Sequence, residues 1–287
     1  MSPGRTLRFA IVACTTLAAG MSPARERSAA AEARMTEYEV ERHPDLEYVA
    51  GPDADIRHKL DLYVPVGAKN WPVMIYVHGG AWKQGSKTLY IGLARTFARH
   101  GIGVAVINYR LSPKVKHPGH IEDVAKAFAW VKNNIAKHGG DSGQITVMGH
   151  SAGGHLVALL ATDPTYLKAE KLSPADIHGV IAVSGVYQIE PGGELYVPAF
   201  GTEAEPCRKA SPMTYVREKL PPFLIAYAEN DYTTFDKMAI DFHEALVKAR
   251  VSSQLLKVEN RNHISVIVSV LSDIDPLNEA VRKFIVK

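Results

Sequence analysis

The sequence predicts an α/β fold with a mostly parallel central sheet and helices on both of its faces. Strand-like and helix-like segments alternate from about residue 37 to the end of the 287-residue chain. Repeated βα units of this kind build parallel sheets. Several strand-like segments, such as residues 73–77, are continuous apolar runs. Such runs are typical of strands that are buried on both faces by covering helices.

Each predicted element follows from its periodicity and its flanking residues. Strands are predicted at residues 60–64, 73–77, 104–108, 145–148, 180–184, 223–227 and 253–258. Helices are predicted at residues 89–99, 121–137, 156–162, 235–249, 264–271 and 277–286. Residues 187–215 lack a clear period and contain Pro191, Gly192 and Gly193, so we interpret them as a small insertion that lies over the functional site.

The first 24 residues have the pattern of an export signal. Arg5 and Arg8 form a positive region, and residues 9–20 are apolar but too short to span a bilayer. Residues 22–24 are a plausible cleavage site, and residues 29–31 are a second one. Residues 25–36 would then be a flexible lead-in to a single domain at 37–287. We therefore expect a periplasmic or secreted protein; a mis-assigned start of the chain or a short membrane anchor is the alternative.

Composition and charge exclude several classes of function. The 46% hydrophobic content is enough for a sizeable core, and the formal net charge is only +3 without a Lys/Arg run, which argues against nucleic acid or a membrane surface as partner. No further long apolar run follows the signal, so stable membrane insertion is not expected. The histidines show no metal-ligand spacing with carboxylates, and no cofactor is expected. The chain would act as a monomer or homodimer.

The two cysteines do not suggest a disulfide or a nucleophile. Cys14 lies in the predicted signal, where residues 11–14 only loosely resemble a lipoprotein box. Removal of the signal would leave Cys207 alone, without a nearby cluster of His or Asn in the sequence. We interpret Cys207 as a small buried apolar residue.

The strongest functional motif is Gly-His-Ser-Ala-Gly at residues 149–153. The bare G-x-S-x-G pattern is weak, but here a predicted strand runs directly into it and a helix runs directly out of it. Such a sharp turn would expose the hydroxyl of Ser151 at the carboxyl edge of the sheet, behind which a helix N-terminus favours negative charge. The sequence therefore predicts that Ser151 is a nucleophile; a phosphate-binding turn or a plain corner is the alternative.

A serine nucleophile of this kind needs backbone N–H groups that stabilise an oxyanion. The residue after the serine, Ala152, is one expected donor. A second glycine-rich loop, His-Gly-Gly-Ala-Trp at residues 78–82, follows an earlier predicted strand, and Gly79 and Gly80 are the expected donors there. We interpret His78 as a structural histidine that holds this loop by hydrogen bonds.

The serine also needs a base, and the base needs an orienting acid. In chains with this strand–turn–helix motif, the acid and the histidine follow the serine in that order. Asp231 follows the strand at 223–227, with Glu229 and Asp236 as rival acids. His263 follows the strand at 253–258, and it is the last histidine of the chain. The predicted catalytic triad is Ser151, Asp231 and His263.

Several further side chains fall on loops that could line a substrate pocket. His150 is adjacent to Ser151, and the others are aromatic: Trp82, Tyr187, Tyr196, Phe200 and Tyr232. Asp123, at the start of a predicted helix, is interpreted as a helix-start charge or a structural partner of Arg110.

The motifs together resemble those of the hormone-sensitive-lipase-like carboxylesterases of the α/β-hydrolase fold. Within that group the chain is similar to the kynurenine-formamidase-like and the feruloyl or acetylxylan-esterase-like enzymes. The similarity covers about residues 40–287 and is carried by residues 78–82, 108–111, Asp123, 139–141, 149–156, Asp231 and 262–263. Two departures are informative: the first loop lacks the third glycine of many lipases, and no long helical cap precedes the first strand.

This resemblance implies a serine carboxylesterase (EC 3.1.1.-) that forms an acyl-enzyme on Ser151. The missing cap disfavours bulky lipids, and the export signal disfavours a cytosolic formamidase. We therefore expect a small-molecule ester with a small acyl or aryl group as substrate. Hydrolysis of an arylformamide such as N-formylkynurenine is the alternative, and a non-catalytic binding protein on the same fold is a further one.

Overall fold

One sheet of eight strands organises the part of the chain that the computed structural model describes, residues 37–286. The strand order is β1-β2-β4-β3-β5-β6-β7-β8, and only the pairs β1–β2 and β2–β4 are antiparallel. The strands are β1 (Val40–Glu47), β2 (Lys59–Pro65), β3 (Trp71–Val77), β4 (Gly103–Ile107), β5 (Gly140–His150), β6 (Gly179–Val183), β7 (Phe223–Asn230) and β8 (Ser253–Asn262).

Helices cover both faces of this sheet and divide the apolar core into two layers. The helices are α1 (Ile91–Arg99), α2 (Gly119–Asn134), α3 (Ala152–Thr162), α4 (Pro164–Ala169), α5 (Val197–Phe200), α6 (Ala204–Lys209), α7 (Phe235–Lys248), α8 (Ser265–Val268) and α9 (Pro276–Ile285). Along β3, Val73 and Ile75 join the layer of α2, α3 and α7, whereas Met74 and Tyr76 join the layer of α1 and α9. Because successive side chains point to opposite faces, both faces of β3 must be apolar.

The predicted fold class, an α/β-hydrolase sheet, is confirmed by this architecture, but the element bounds differ. Helix α3 begins at Ala152, directly after Ser151, rather than at residue 156, and β5 and β8 are longer than predicted. The predicted signal and lead-in at residues 1–36 lie outside the described residues. Within residues 37–286, no helix is both long enough and apolar enough to cross a bilayer.

Strand β1 has no counterpart among the predicted strands. It pairs only with β2, it contains Pro44, and its side chains are mostly partly or fully exposed. A proline cannot donate to a sheet ladder, so it is tolerated at an edge strand such as this one. The pairing with β2 stabilises this segment as a strand, although its local sequence pattern does not predict one. The register of the β1–β2 pair shifts between His43 and Leu46.

Two buried carboxylates anchor the loops around the sheet. Asp123 of α2 is fully buried, accepts a forked hydrogen bond from Arg110, and contacts His58 at 3.0 Å. Asp61 of β2 is also fully buried and pairs with Lys87 and Arg42. A buried carboxylate requires such partners because its desolvation is costly. The interpretation of Asp123 as a partner of Arg110 is confirmed, although α2 begins four residues before it.

Five histidines are buried or largely buried and have strongly lowered pKa values. Burial lowers the pKa to about 4 for His78, His117 and His120 and to about 3 for His150 and His155. Each is therefore neutral in the folded protein at neutral pH, whereas the unfolded chain protonates a histidine near pH 6.5.

We predict that the protein loses stability as the pH falls from about 6.5 to about 4. In this window the unfolded state binds more protons than the folded state, so the free energy of unfolding decreases with falling pH. Each histidine contributes a slope of up to about 1.4 kcal/mol per pH unit. Urea unfolding at pH 7, 6 and 5 measures the slope, and His120→Gln should reduce it. An unfolding free energy independent of pH over this range would contradict the prediction.

Candidate active site

Ser151 occupies a strained turn between β5 and α3. Its backbone has φ 57° and ψ −120°, a conformation that non-glycine residues rarely adopt. The Ser151 N–H donates to the Val183 carbonyl of β6 at 2.9 Å, which fixes the turn to the neighbouring strand. The serine therefore lies at the carboxyl edge of the sheet, at the N-terminus of α3, as the motif predicts.

Two glycines of the motif allow this turn to pack against its neighbours. A Cβ atom at Gly153 would lie 2.0 Å from the carbonyl oxygen of Val77, at the end of β3. A Cβ at Gly149 would lie 2.2 Å from the carbonyl oxygen of Gly153. Both distances are far below van der Waals contact, so only glycine fits at these two positions.

The structure brings Asp231 and His263 together on the loops that follow β7 and β8. The Nδ1–H of His263 donates to Asp231 Oδ1 at 2.7 Å, and both side chains are almost fully buried. Burial alone would raise the pKa of Asp231, but the hydrogen bonds from His263, Ser184 and the Tyr232 N–H outweigh it and lower this pKa. The aspartate is thus ionised beside the imidazole and holds Nδ1 as the protonated ring nitrogen.

The rival acids lie elsewhere. Glu229 pairs with Lys257 at 2.7 Å and accepts from the Asn260 N–H, and Asp236 is an exposed residue of α7.

The imidazole of His263 is held by stacking on Tyr232, with ring centroids 4.1 Å apart. The Nε2–H of His150 donates to the His263 carbonyl at 2.8 Å.

His78 holds the glycine-rich loop after β3, as the sequence indicates. Its Nδ1–H donates to the Gly79 carbonyl at 2.8 Å, and Nε2 accepts from Arg57 at 3.2 Å. Its ring stacks on Tyr109, with centroids 4.5 Å apart. The lowered pKa of His78 keeps it neutral, which suits one donating and one accepting ring nitrogen. His78 is therefore a structural residue of the loop.

The loop presents backbone N–H groups beside Ser151. A Cβ at Gly79 would lie 3.2 Å from the Cβ of Ser151, so the two residues are in close contact. Within residues 37–286 the N–H groups of Gly80 and Ala152 donate to no other group, and that of Gly79 faces the Tyr90 hydroxyl. The N–H groups of Gly80 and Ala152 are therefore free to bind an oxygen atom of a substrate beside the serine, whereas that of Gly79 is engaged by the Tyr90 hydroxyl.

A cavity of about 630 Å³ opens over Ser151 and His263. Its lining contains no Asp, Glu, Lys or Arg, within the part of the chain that the structure describes. Its mouth is apolar and exposed: the rim side chains are Leu89, Leu195, Tyr232, Ile264 and Val268. The lining residues are Gly79, Gly80, Ala81, Trp82, Gln84, Gly85, Leu89, Tyr90, His150, Ser151, Val186, Leu195, Tyr232, Phe235, His263, Ile264, Ile267 and Val268.

Three of the six predicted pocket residues line this cavity: Trp82, His150 and Tyr232. For the other three the prediction is wrong. Tyr187 is fully buried and stacks on Phe242, with centroids 4.3 Å apart. Tyr196 and Phe200 pack behind Trp82 instead of facing the cavity. The insertion reaches the cavity through Leu195.

Ser184 and Tyr90 are among the residues of the site that were not predicted. Ser184, directly after β6, donates to Asp231 Oδ2 at 2.5 Å; its position at a strand end is a signal that could have identified it. Tyr90 lines the cavity from the start of α1, and no sequence motif marks it.

Cys207 is buried in α6, as predicted, and Cys14 lies outside the described residues. Among residues 37–286 no group of three or more His, Cys, Asp or Glu is placed to hold a metal ion.

The sheet order, the turn at Ser151 and the paired Asp231 and His263 define an α/β-hydrolase with a serine-hydrolase type of site. A family model described as BD-FAE matches residues 60–246, about two thirds of the chain. The chain belongs to this family. The matched segment contains Ser151 and Asp231 but ends before His263.

Curated relatives and solved structures agree with this assignment. Esterase LipC of Mycobacterium tuberculosis is 35% identical over 194 residues, 61% of this chain and 48% of LipC. Kynurenine formamidase of Danio rerio is 31% identical over 238 residues, 80% of this chain and 78% of that protein. A structure of Thermogutta terrifontis esterase 2 phosphorylated by paraoxon is 26% identical with a TM-score of 0.63, covering 80% and 85%. The chain spans about half the length of LipC and the mycobacterial relatives that it matches.

We predict that Gly153→Ala disrupts the site by displacing the backbone of the turn at Ser151. The added methyl group would meet the Val77 carbonyl at 2.0 Å, so either the turn or the end of β3 must move. We expect a loss of about 2 kcal/mol or more in unfolding free energy and loss of Ser151 reactivity. Gly92→Ala is the control, because its methyl group meets only a flexible Leu271 side chain at 3.2 Å. Equal unfolding free energies and equal reactivity for both variants would contradict this.

Proposed function

We propose that the protein is a serine carboxylesterase that hydrolyses small acyl or aryl esters through an acyl-enzyme on Ser151. The observation that carries this proposal is the Asp231–His263 hydrogen bond of 2.7 Å, which presents an oriented imidazole to the same cavity as Ser151. An aspartate, a histidine and a strained serine in this chain order are the working parts of an acyl-transfer site.

The proposed reaction uses only groups of this chain. His263 takes the hydroxyl proton of Ser151 as its oxygen attacks the ester carbonyl, and Asp231 stabilises the resulting imidazolium. The oxyanion accepts hydrogen bonds from the N–H groups of Gly80 and Ala152. His263 then gives the proton to the leaving alcohol. Water repeats the sequence on the acyl-enzyme and releases the acid.

The comparisons support an ester as substrate and a nucleophilic serine. Esterase names recur among the relatives, LipC among them. The related Thermogutta terrifontis esterase 2 is phosphorylated by paraoxon, which fits a reactive nucleophile in this fold. The relation to kynurenine formamidase supports the amide alternative only at the level of the family, because fold and nucleophile do not fix the leaving group.

The cavity lining favours an uncharged ester over N-formylkynurenine. That amino acid carries a carboxylate, yet the lining offers no Lys or Arg within the described residues. His150, the nearest further imidazole, is kept neutral by burial and by the neighbouring His263, which lower its pKa to about 3. An unpaired carboxylate in such a cavity loses hydration without gaining a cationic partner.

We also propose that the protein is exported. The support is the pattern of Arg5, Arg8 and the apolar run at residues 9–20, followed by small residues. Cell fractionation of the full chain tests it, with N-terminal sequencing of the recovered protein. Recovery of an uncleaved chain in the cytosol would reject this part of the proposal and leave the enzymatic part intact.

We predict that Ser151→Ala lowers kcat on p-nitrophenyl acetate by about 10⁴ or more, because the nucleophile is lost. The wild-type protein should also be labelled covalently by a fluorophosphonate, with the label on Ser151 by mass spectrometry. Ser142→Ala, at the opposite end of β5, is the matched control. Undiminished turnover in Ser151→Ala, or no labelling of Ser151 in the wild type, would favour a binding protein.

We predict that the enzyme discriminates against anionic acyl groups. For p-nitrophenyl butyrate against mono-p-nitrophenyl succinate, kcat/KM should differ by about 10-fold to 100-fold, because the succinyl carboxylate meets no cation. N-formylkynurenine, assayed in parallel, should be hydrolysed slowly for the same reason. Efficient hydrolysis of both anionic substrates would instead favour the formamidase alternative.

A further inference from the structure

We propose that a partition of four rings, Trp82, Phe200, His155 and His117, closes the substrate cavity on its inner side and limits the size of the group that enters. We further propose that His155 is a positioning residue that holds Trp82 in this partition. The inference rests on the esterase function proposed above and names the residues that set its substrate size.

Trp82 is the residue of the partition that lines the cavity. It lines the cavity over Ser151, although only 1% of its surface is exposed. Its backbone is fixed in the left-handed region at φ 57°, and its carbonyl accepts from the Ser112 N–H at 2.9 Å. The ring is therefore presented by a rigid loop, directly after the Gly79–Gly80 segment beside Ser151.

His155 fixes the orientation of the Trp82 ring. The indole N–H of Trp82 donates to His155 Nδ1 at 3.2 Å, and His155 Nε2–H donates to the Ala210 carbonyl at 2.7 Å. The two rings meet edge to face, with centroids 5.1 Å apart. Burial keeps His155 neutral, so a single tautomer serves both hydrogen bonds. The orientation of Trp82 thus depends on a histidine of α3 and on the insertion that contains Ala210.

Two further rings complete the partition. Phe200 contacts Trp82 edge to face at 4.8 Å between centroids, and His117 lies 5.7 Å from Phe200. His117 also lines a second cleft of about 810 Å³, whose lining includes none of the other three rings. The contacts from Trp82 through Phe200 to His117 thus connect the lining of the cavity of about 630 Å³ with that of the second cleft, and we place the partition between the two.

Such a wall selects substrates by the length of the group that enters the cavity. A substrate group that stops at Trp82 gains contact with its ring, whereas a longer one must displace it. Each additional methylene that becomes buried in an opened cavity improves binding about fourfold. Removing the indole should therefore shift the preference towards longer groups.

The test compares two series of esters: p-nitrophenyl acylates from acetyl to decanoyl, and acetates of alcohols of increasing length. For Trp82→Ala, the ratio of kcat/KM for the longest to the shortest member should rise about tenfold or more in one series. Trp82→Phe should give a smaller change in the same direction. Trp130→Ala, a tryptophan of α2 outside this cavity, is the matched control and should leave the ratio unchanged.

The positioning role of His155 has its own test. His155→Leu leaves the indole N–H and the Ala210 carbonyl without partners, so Trp82 should lose its fixed orientation and the length ratio should rise as in Trp82→Ala. Gln offers both an acceptor and a donor, so His155→Gln should return the ratio towards that of the wild type. A change in stability alone would alter yield or Tm but not this ratio.

The possible outcomes separate the two proposals. If the wild-type protein hydrolyses none of the esters, the proposed function fails. If it does hydrolyse them but the length ratio is unchanged in both Trp82→Ala and Trp82→Phe, the partition is rejected. If the ratio changes in the Trp82 variants but is equal in His155→Leu, His155→Gln and the wild type, the positioning role is rejected. Where Trp82→Ala does not fold, Trp82→Phe decides. Where His155→Leu does not fold, His155→Phe takes its place, because it keeps an aromatic ring but offers no acceptor to the indole N–H of Trp82.

Discussion

The close contact between Gly153 and the carbonyl oxygen of Val77 is the constraint on which the site depends. It brings the turn of Ser151 against the end of β3, and the loop that follows β3 then lies beside the serine. If the turn were displaced by the width of a methyl group, the loop that contains Gly79 and Gly80 would no longer lie in contact with Ser151. The strain at Ser151 persists because β3, β5 and β6 all hold the turn.

The cavity lining carries no Asp, Glu, Lys or Arg within the described residues, whereas ion pairs hold the surrounding loops in place. Outside the cavity lining, Asp123 with Arg110 ties the loop after β4 to α2, and Asp61 with Lys87 ties the segment before α1 to β2. Arg57 braces His78 from behind the glycine-rich loop and does not line the cavity. Within the described lining, Asp231 acts only through His263 and does not itself contact the cavity. An uncharged substrate can therefore displace water from this cavity without leaving a buried ion unpaired.

Neutral histidines are used here as connectors between loops. His78 joins Arg57 to Gly79, His155 joins Trp82 to Ala210, and His150 joins the turn of Ser151 to the carbonyl of His263. A buried neutral imidazole offers one donor and one acceptor at fixed angles, which suits a bridge between two backbone segments. The same property makes these connections sensitive to acid, because a protonated imidazole has no acceptor.

The sequence by itself determined the sheet, the turn and the residues Ser151, Asp231 and His263. These follow from local signals: apolar runs, glycines at a sharp turn, and polar residues at strand ends in a fixed chain order. Only the tertiary structure decided which aromatic residues face the cavity, that β1 forms an edge strand, and that Ser184 holds Asp231. Whether Trp82 or Tyr187 faces a substrate depends on which neighbours cover each ring. Those neighbours, such as Phe242 against Tyr187, lie tens of residues away and carry no local pattern.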